Sequence, residues 1–147
     1  MKFQNENSDL YIPSGEPVGN VFPRTSHLAI GAHQDDLEIM AYHGIVACLG
    51  DNEKWFTGVT CTKGAGSART GPFAQYSNDQ MMAIRVEEQN QAADLGRFSA
   101  MLQLDYPSSI VKDPESTLLQ EELTRILMAT KPEIVYTHNP ADKHPTH

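Results

Sequence analysis

Residues 27–38 read HLAIGAHQDDLE, and the fold turns on how this stretch divides. Residues 27–32 are a short apolar run without polar alternation, as expected of a strand buried on both faces. HQDD follows at residues 33–36, in the turn beyond the strand's carboxyl end. From Glu38 a helical reading runs to Leu49 and stops at Gly50. Strand, polar turn and helix make the first half of a βαβ unit.

Further along, the same alternation recurs. Residues 55–62 (WFTGVTCT) read as a second strand, and residues 63–77 as a loop rich in Gly and Ala. Asn78 or Asp79 can cap a helix running to about Leu95, with Gly96 as its stop. Residues 98–104 are a third strand. DPES then places Asp113 at an N-cap and Pro114 at the first helical position, followed by Leu119, Leu123, Ile126 and Leu127 at helical spacing. Pro132 ends that helix, and residues 133–137 (EIVYT) form a fourth strand. The pattern predicts an α/β domain over residues 27–147, a Rossmann-like sandwich with a mostly parallel sheet and right-handed crossovers. Residues 1–26, with Pro13, Gly15, Pro17 and Gly19, are expected to form an irregular N-terminal arm wrapping it.

Composition narrows the classes of function. A 39% hydrophobic and 20% charged chain of 147 residues is of ordinary globular make-up and one domain in size. Its formal net charge of -8 repels phosphate backbones, which argues against nucleic acid and for a small-molecule or glycan substrate. No apolar run approaches the ~18 residues a membrane span needs, and the polar start lacks a signal-peptide core, so a cytoplasmic protein without a membrane span is expected. Cys48 and Cys61 lack CxxC spacing and read as small buried thiols. HQDD also stands where a dinucleotide fold needs GxGxxG, which disfavours a nucleotide cofactor.

The chemistry concentrates in two places, HQDD after the first strand and HNPADKHPTH after the fourth. Both lie beyond strand carboxyl ends, where open α/β sheets bind ligands. Adjacent acids in a turn repel, so a nearby cation accounts for Asp35 and Asp36 economically, whereas a solvated turn is the plainer alternative. His33 and Asp36 can face one point across the turn, and His147 can supply the third ligand of a zinc site, leaving a position open for water. Asp35 then points beside the metal and is placed to accept a proton from that water. His144 lies one turn before His147 if HPTH opens a helix, and can face the same site. Set apart from the motifs, terminal histidines are often tags or tails. His138 reads as a site-lining or second-layer residue, and His27 and His43 as packing or surface residues.

GAHQDDLEI resembles the AHPDDE motif of the LmbE/PIG-L zinc deacetylases, and HPTH resembles their second, HxxH-type histidine motif. Arg85 with EEQNQAADLG behind it is similar to the family's arginine followed by acids, alanines and a terminal LG. The resemblance spans residues 27–147 and implies removal of the acetyl group from an N-acetylglucosamine-type substrate. It implies His33, Asp36 and His147 as ligands of zinc or another divalent metal, and Asp35 as general base. His144 would stabilise the oxyanion and Arg85 would contact substrate, against a plainer reading of Arg85 as an i,i+3 partner of Glu88. Gln34 replaces the family's usual proline, and Leu37 separates the acid pair from Glu38. Relatives continue for roughly another domain-sized hundred residues, so the resemblance also implies a sheet cut off after its fourth strand.

Two other functions share these residues. A non-catalytic sugar- or metal-binding module would keep the fold without turnover. Two histidines and a carboxylate also make the facial triad of an iron(II) oxygenase, but those sites usually present HxD on an antiparallel barrel. The alternation of strand and helix here points away from that.

Overall fold

In a computed structural model describing residues 2–147, the apolar runs form a single five-stranded sheet. Its strands are β1 (Asp9–Tyr11), β2 (His27–Gly31), β3 (Phe56–Thr60), β4 (Ala100–Gln103) and β5 (Ile134–Tyr136), in spatial order β1-β4-β3-β2-β5. β1 runs antiparallel to β4, and every other pairing is parallel. The helices are α1 (Val18–Val21), α2 (Asp36–Met40), α3 (Tyr42–Leu49), α4 (Asn78–Leu95), α5 (Ser108–Val111) and α6 (Leu118–Thr130). Among them none is long and apolar enough to cross a membrane.

Side chains alternate across the sheet with the two-residue period of strands. Leu28, Val59 and Leu102 enter one core with Ile126 of α6, and Leu119, Leu123 and Leu127 pack against it. Ala29, Phe56 and Met101 enter the other with Leu37, Ile45 and Ala93 from the helices of the opposite face. The result is the expected α/β sandwich with a mostly parallel sheet.

The chain moves outward from β2 through β3 to β4, then crosses back to place β5 on the other side of β2. The loops after β2 and β5 therefore leave the sheet side by side, at the reversal of strand order where such folds open a crevice. This brings HQDD and HNPADKHPTH together.

Local structure departs from expectation at five points. The N-terminal segment holds β1 and α1, with Leu10 packed on one core and Tyr11 on the other, so it closes the β4 edge. A three-residue strand is too short to show a period. The first helix starts two residues early, at Asp36, and breaks at Ala41 (φ -113°, ψ 16°). The cap of α4 is Ser77, which makes a reciprocal capping box with Gln80. Asp113 accepts the Glu115 amide instead of capping, so α6 begins later, after Thr117, and α5 precedes it. That local turn competes with a helix N-terminus for the same carboxylate. HPTH forms a turn, closed by the His147 amide donating to the His144 carbonyl, and not a helix.

Candidate metal centre and catalytic site

The turn after β2 folds back on itself tightly. A Cβ on Gly31 would lie 2.9 Å from Cβ of Asp36, so only glycine fits this approach. Asp35 adopts the left-handed conformation, φ 71°, which is rarely populated outside glycine, asparagine and aspartate. That change of hand sends the two neighbouring acids to different places. Asp35 projects outward with its side chain 62% exposed, whereas Asp36 turns inward and is 10% exposed.

Inside the turn, Asp36 Oδ2 accepts the His33 amide at 2.7 Å and lies 3.6 Å from His33 Nδ1. His147 Nε2 lies 3.6 Å from Asp36 Oδ1, and His138 Nε2 lies 3.2 Å from Oδ2. Burial acts to raise the Asp36 carboxyl, but the hydrogen bonds from the His33 side chain and amide, with smaller attractions from the neighbouring imidazoles, more than offset it and hold it below the ordinary range. The Ala32 amide donates to His138 Nε2 at 2.9 Å, which assigns the ring proton to Nδ1. Burial lowers the pKa of His138, against the pull of Asp36, and favours this neutral form. His138 Nε2, with its one lone pair taken by the Ala32 amide, thus faces Asp36 Oδ2 as acceptor to acceptor at 3.2 Å.

Two overlapping sets of donor atoms converge within 4.8 Å of one another: His33, His144 and His147, and Asp36, His138 and His147. Imidazole nitrogen with carboxylate oxygen is the donor chemistry of zinc and similar divalent ions. The residues present therefore fit a metal. Of the three candidate ligands read from the sequence, His147 belongs to both sets, His33 to the first and Asp36 to the second, and His138 lies beside them. Its rings pack closely: His138 and His147 stack with centroids 3.8 Å apart, and His33 meets His144 edge-on at 5.1 Å.

Helix α4 supplies the outer wall. Arg85 Nη2 donates to Asp35 Oδ2 at 3.0 Å and to the Gln34 carbonyl at 2.8 Å, while Nη1 pairs with Glu88 at 3.0 Å. Gln89, one turn on, accepts the Asp35 amide at 3.0 Å and donates to Glu38 Oε1 at 2.9 Å. Arg85 and Gln89 together clamp the strained turn, and Glu38 acts on it through Gln89 despite its displaced position in the motif. Gln34, where the family has proline, is buried and donates to the Thr62 carbonyl and to Gln103.

A cavity of about 1010 Å³ opens over the cluster, lined by His33, Asp35, Asp36, Arg85, His144 and His147 among others. Lys63, Asp105 and the arm residues Gln4, Asn5 and Asn7 also line it. His27 and His43 lie away from it, both packed on the Tyr136 ring, as expected.

Two residues near the site went unread in the sequence. Gln89 gave no signal, being one polar residue on a helix. Asp142 stood inside the second motif, an acid five positions before His147, and its carboxylate is 2.9 Å from His147 Nδ1. That contact holds the Asp142 carboxyl below its usual range.

No curated protein matches the sequence of the chain as a relative. A family profile described as "PIG-L: GlcNAc-PI de-N-acetylase" matches residues 28–147, which include both motifs, Arg85 and all the clustered histidines, and exclude the arm. The chain belongs to the PIG-L family.

Proposed function

We propose that this protein is a zinc-dependent deacetylase that hydrolyses the acetamide of an N-acetylated amino sugar, of N-acetylglucosamine type, and leaves glycosidic bonds intact. The observation that carries this reading is that Asp36 has His33 Nδ1 and His147 Nε2 each 3.6 Å from a carboxylate oxygen, under a cavity that Asp35 lines from the neighbouring position. His33, Asp36 and His147 would hold the metal. A bound divalent ion supplies Lewis acidity toward a carbonyl oxygen and lowers the pKa of water.

The chain's own residues do the rest. Asp35, aligned by Arg85, takes a proton as the water oxygen bonds to the acetamide carbon. His144 Nδ1 accepts the Thr146 amide at 3.3 Å, which assigns the ring proton to Nε2, where it can be donated to the developing oxyanion. Asp35 returns its proton to the amine nitrogen as the carbon–nitrogen bond breaks, giving acetate and a free amino sugar. Of the five guanidinium protons of Arg85, three are engaged by Glu88, Gln34 and Asp35, the buried Nε proton has no partner among the described residues, and one on Nη1 remains for a substrate hydroxyl. Glycoside hydrolysis calls instead for two carboxyls about 5 to 9.5 Å apart flanking the bond, with no metal needed.

Incubating the zinc-loaded protein with a panel of N-acetylated sugars, and assaying acetate, free amine and reducing ends, tests the reading. Acetate and amine should appear in equal amounts. Sugar cleavage without acetate release would overturn it, and oxygen consumption with bound iron would replace it by the oxygenase reading.

A further inference from the structure

We propose that Asp142 is a positioning residue for the metal site: it sets the tautomer of His147 and ties the turn that carries His144. The inference rests on the reading of this cluster as a metal centre. A neutral imidazole has one protonated and one free nitrogen, and only the free one can bind a cation. His147 offers Nε2 to the cluster, 3.6 Å from Asp36 Oδ1, and Nδ1 to Asp142 Oδ2 at 2.9 Å. Since a carboxylate only accepts, Nδ1 must carry the proton, and Nε2 is left free on the side where the other donors lie.

The second carboxylate oxygen is used as well. Asp142 Oδ1 accepts the His144 amide at 2.9 Å, and the Asp142 amide donates to the Asn139 carbonyl at 2.8 Å. One side chain thus links the two histidines of HPTH, and its rotation is fixed at both oxygens. His147 is held at its ring edge by Asp142 and across its face by His138, stacked at 3.8 Å and 11°. A carboxylate bonded to the outer nitrogen of a ligating histidine orients the ring and makes the inner nitrogen a stronger donor, and losing it usually costs about 10–100-fold in metal affinity. Asp142 is itself 36% exposed, and exposed ion pairs add little to folding stability. A positioning role therefore predicts a loss of metal affinity out of proportion to any loss of stability.

The test has three readouts on wild type, Asp142→Ala, Asp142→Asn and Asp142→Glu. In the metal-free wild type, ring nitrogen chemical shifts of His147 should report the Nδ1–H tautomer, with Asp142→Ala moving the population toward Nε2–H. Chelator competition with zinc should show affinity falling about 10–100-fold in Asp142→Ala, less in Asp142→Asn, and partly restored in Asp142→Glu. The loss should persist in ~1 M salt, where a Debye length of about 3 Å screens simple charge attraction. Thermal melting of the metal-free variants should match wild type. An unchanged tautomer, a zinc affinity within about two-fold of wild type, a loss that vanishes in high salt, or an equally severe loss of metal-free stability would each overturn the proposal. Failure of wild type to bind zinc at all would instead overturn the metal reading beneath it.

Discussion

Asp35 and Asp36 are chemically identical neighbours with different surroundings, and the left-handed backbone at Asp35 separates them. Replacing Asp35 by Asn keeps the shape of the side chain and removes its basicity. The expected outcome is zinc binding close to wild type with turnover reduced about 10²- to 10⁴-fold, measured by metal analysis alongside acetate release. Asp36→Ala should lose zinc and turnover together, because Asp36 is the acid that meets His33, His138 and His147. Near-normal turnover in the zinc-loaded Asp35→Asn variant would show that the base has been misassigned. Cys61 makes a separate prediction. Burial first, and then the charge of Asp36, push its thiol up to about 12. At pH ~8 only about one molecule in 10⁴ then carries the reactive thiolate. Mass mapping after iodoacetamide treatment should find Cys61 unlabelled in the native protein and labelled in urea.

At the scale of elements, two local devices hold the site in shape. Ser77 and Gln80 satisfy each other's backbone amides at the start of α4, the helix that carries Arg85 and Gln89. Ser77→Ala should lower stability by about 0.5–2 kcal/mol, read as a lower denaturant midpoint at unchanged slope. Gly31 at the end of β2 is more demanding, because an added Cβ would meet Asp36 Cβ at 2.9 Å and Leu37 Cδ2 at 3.2 Å. The first of these atoms is fixed to the backbone and cannot swing aside. Gly31→Ala should therefore cost about 1–3 kcal/mol by overpacking and also weaken zinc binding, since the displaced residue is Asp36. Chelator competition would detect the second effect, and zinc affinity equal to wild type would show that the turn tolerates the shift.

Across the whole molecule, the site depends on the sheet's reversal between β2 and β5, which joins a motif near residue 33 to one near residue 147. Metal bound across these two loops bridges distant parts of the chain, so it should stabilise the folded state by mass action. A free zinc concentration 100 times the dissociation constant corresponds to about 2.7 kcal/mol, visible as a higher melting temperature. Chelation should abolish deacetylation and lower the melting temperature, and added zinc should restore both. If zinc restored activity with no thermal shift at saturating concentration, the two loops would not be sharing one ion.

The sequence alone determined the alternation of strand and helix, because buried parallel strands leave apolar runs and helices leave spaced ones, and both patterns are local. It also singled out HQDD and HPTH as candidate motifs, because adjacent acids and clustered histidines at the carboxyl ends of two strands suit a shared ligand. It misplaced the start of α6, since Asp113 can cap a helix or close a turn and only the surrounding chain selects between them. The three residues of β1 carry no readable period, and their place in the sheet comes from pairing with β4, some ninety residues away. The tertiary structure alone decided which atoms meet. Whether His138 joins the cluster depends on the register that sets Ala29 beside Tyr136, and whether Arg85 and Gln89 reach the Asp35 turn depends on how α4 packs. Contacts across 50 or more residues have no periodic trace in the chain, because they arise from the summed packing of elements and not from the spacing within any one of them.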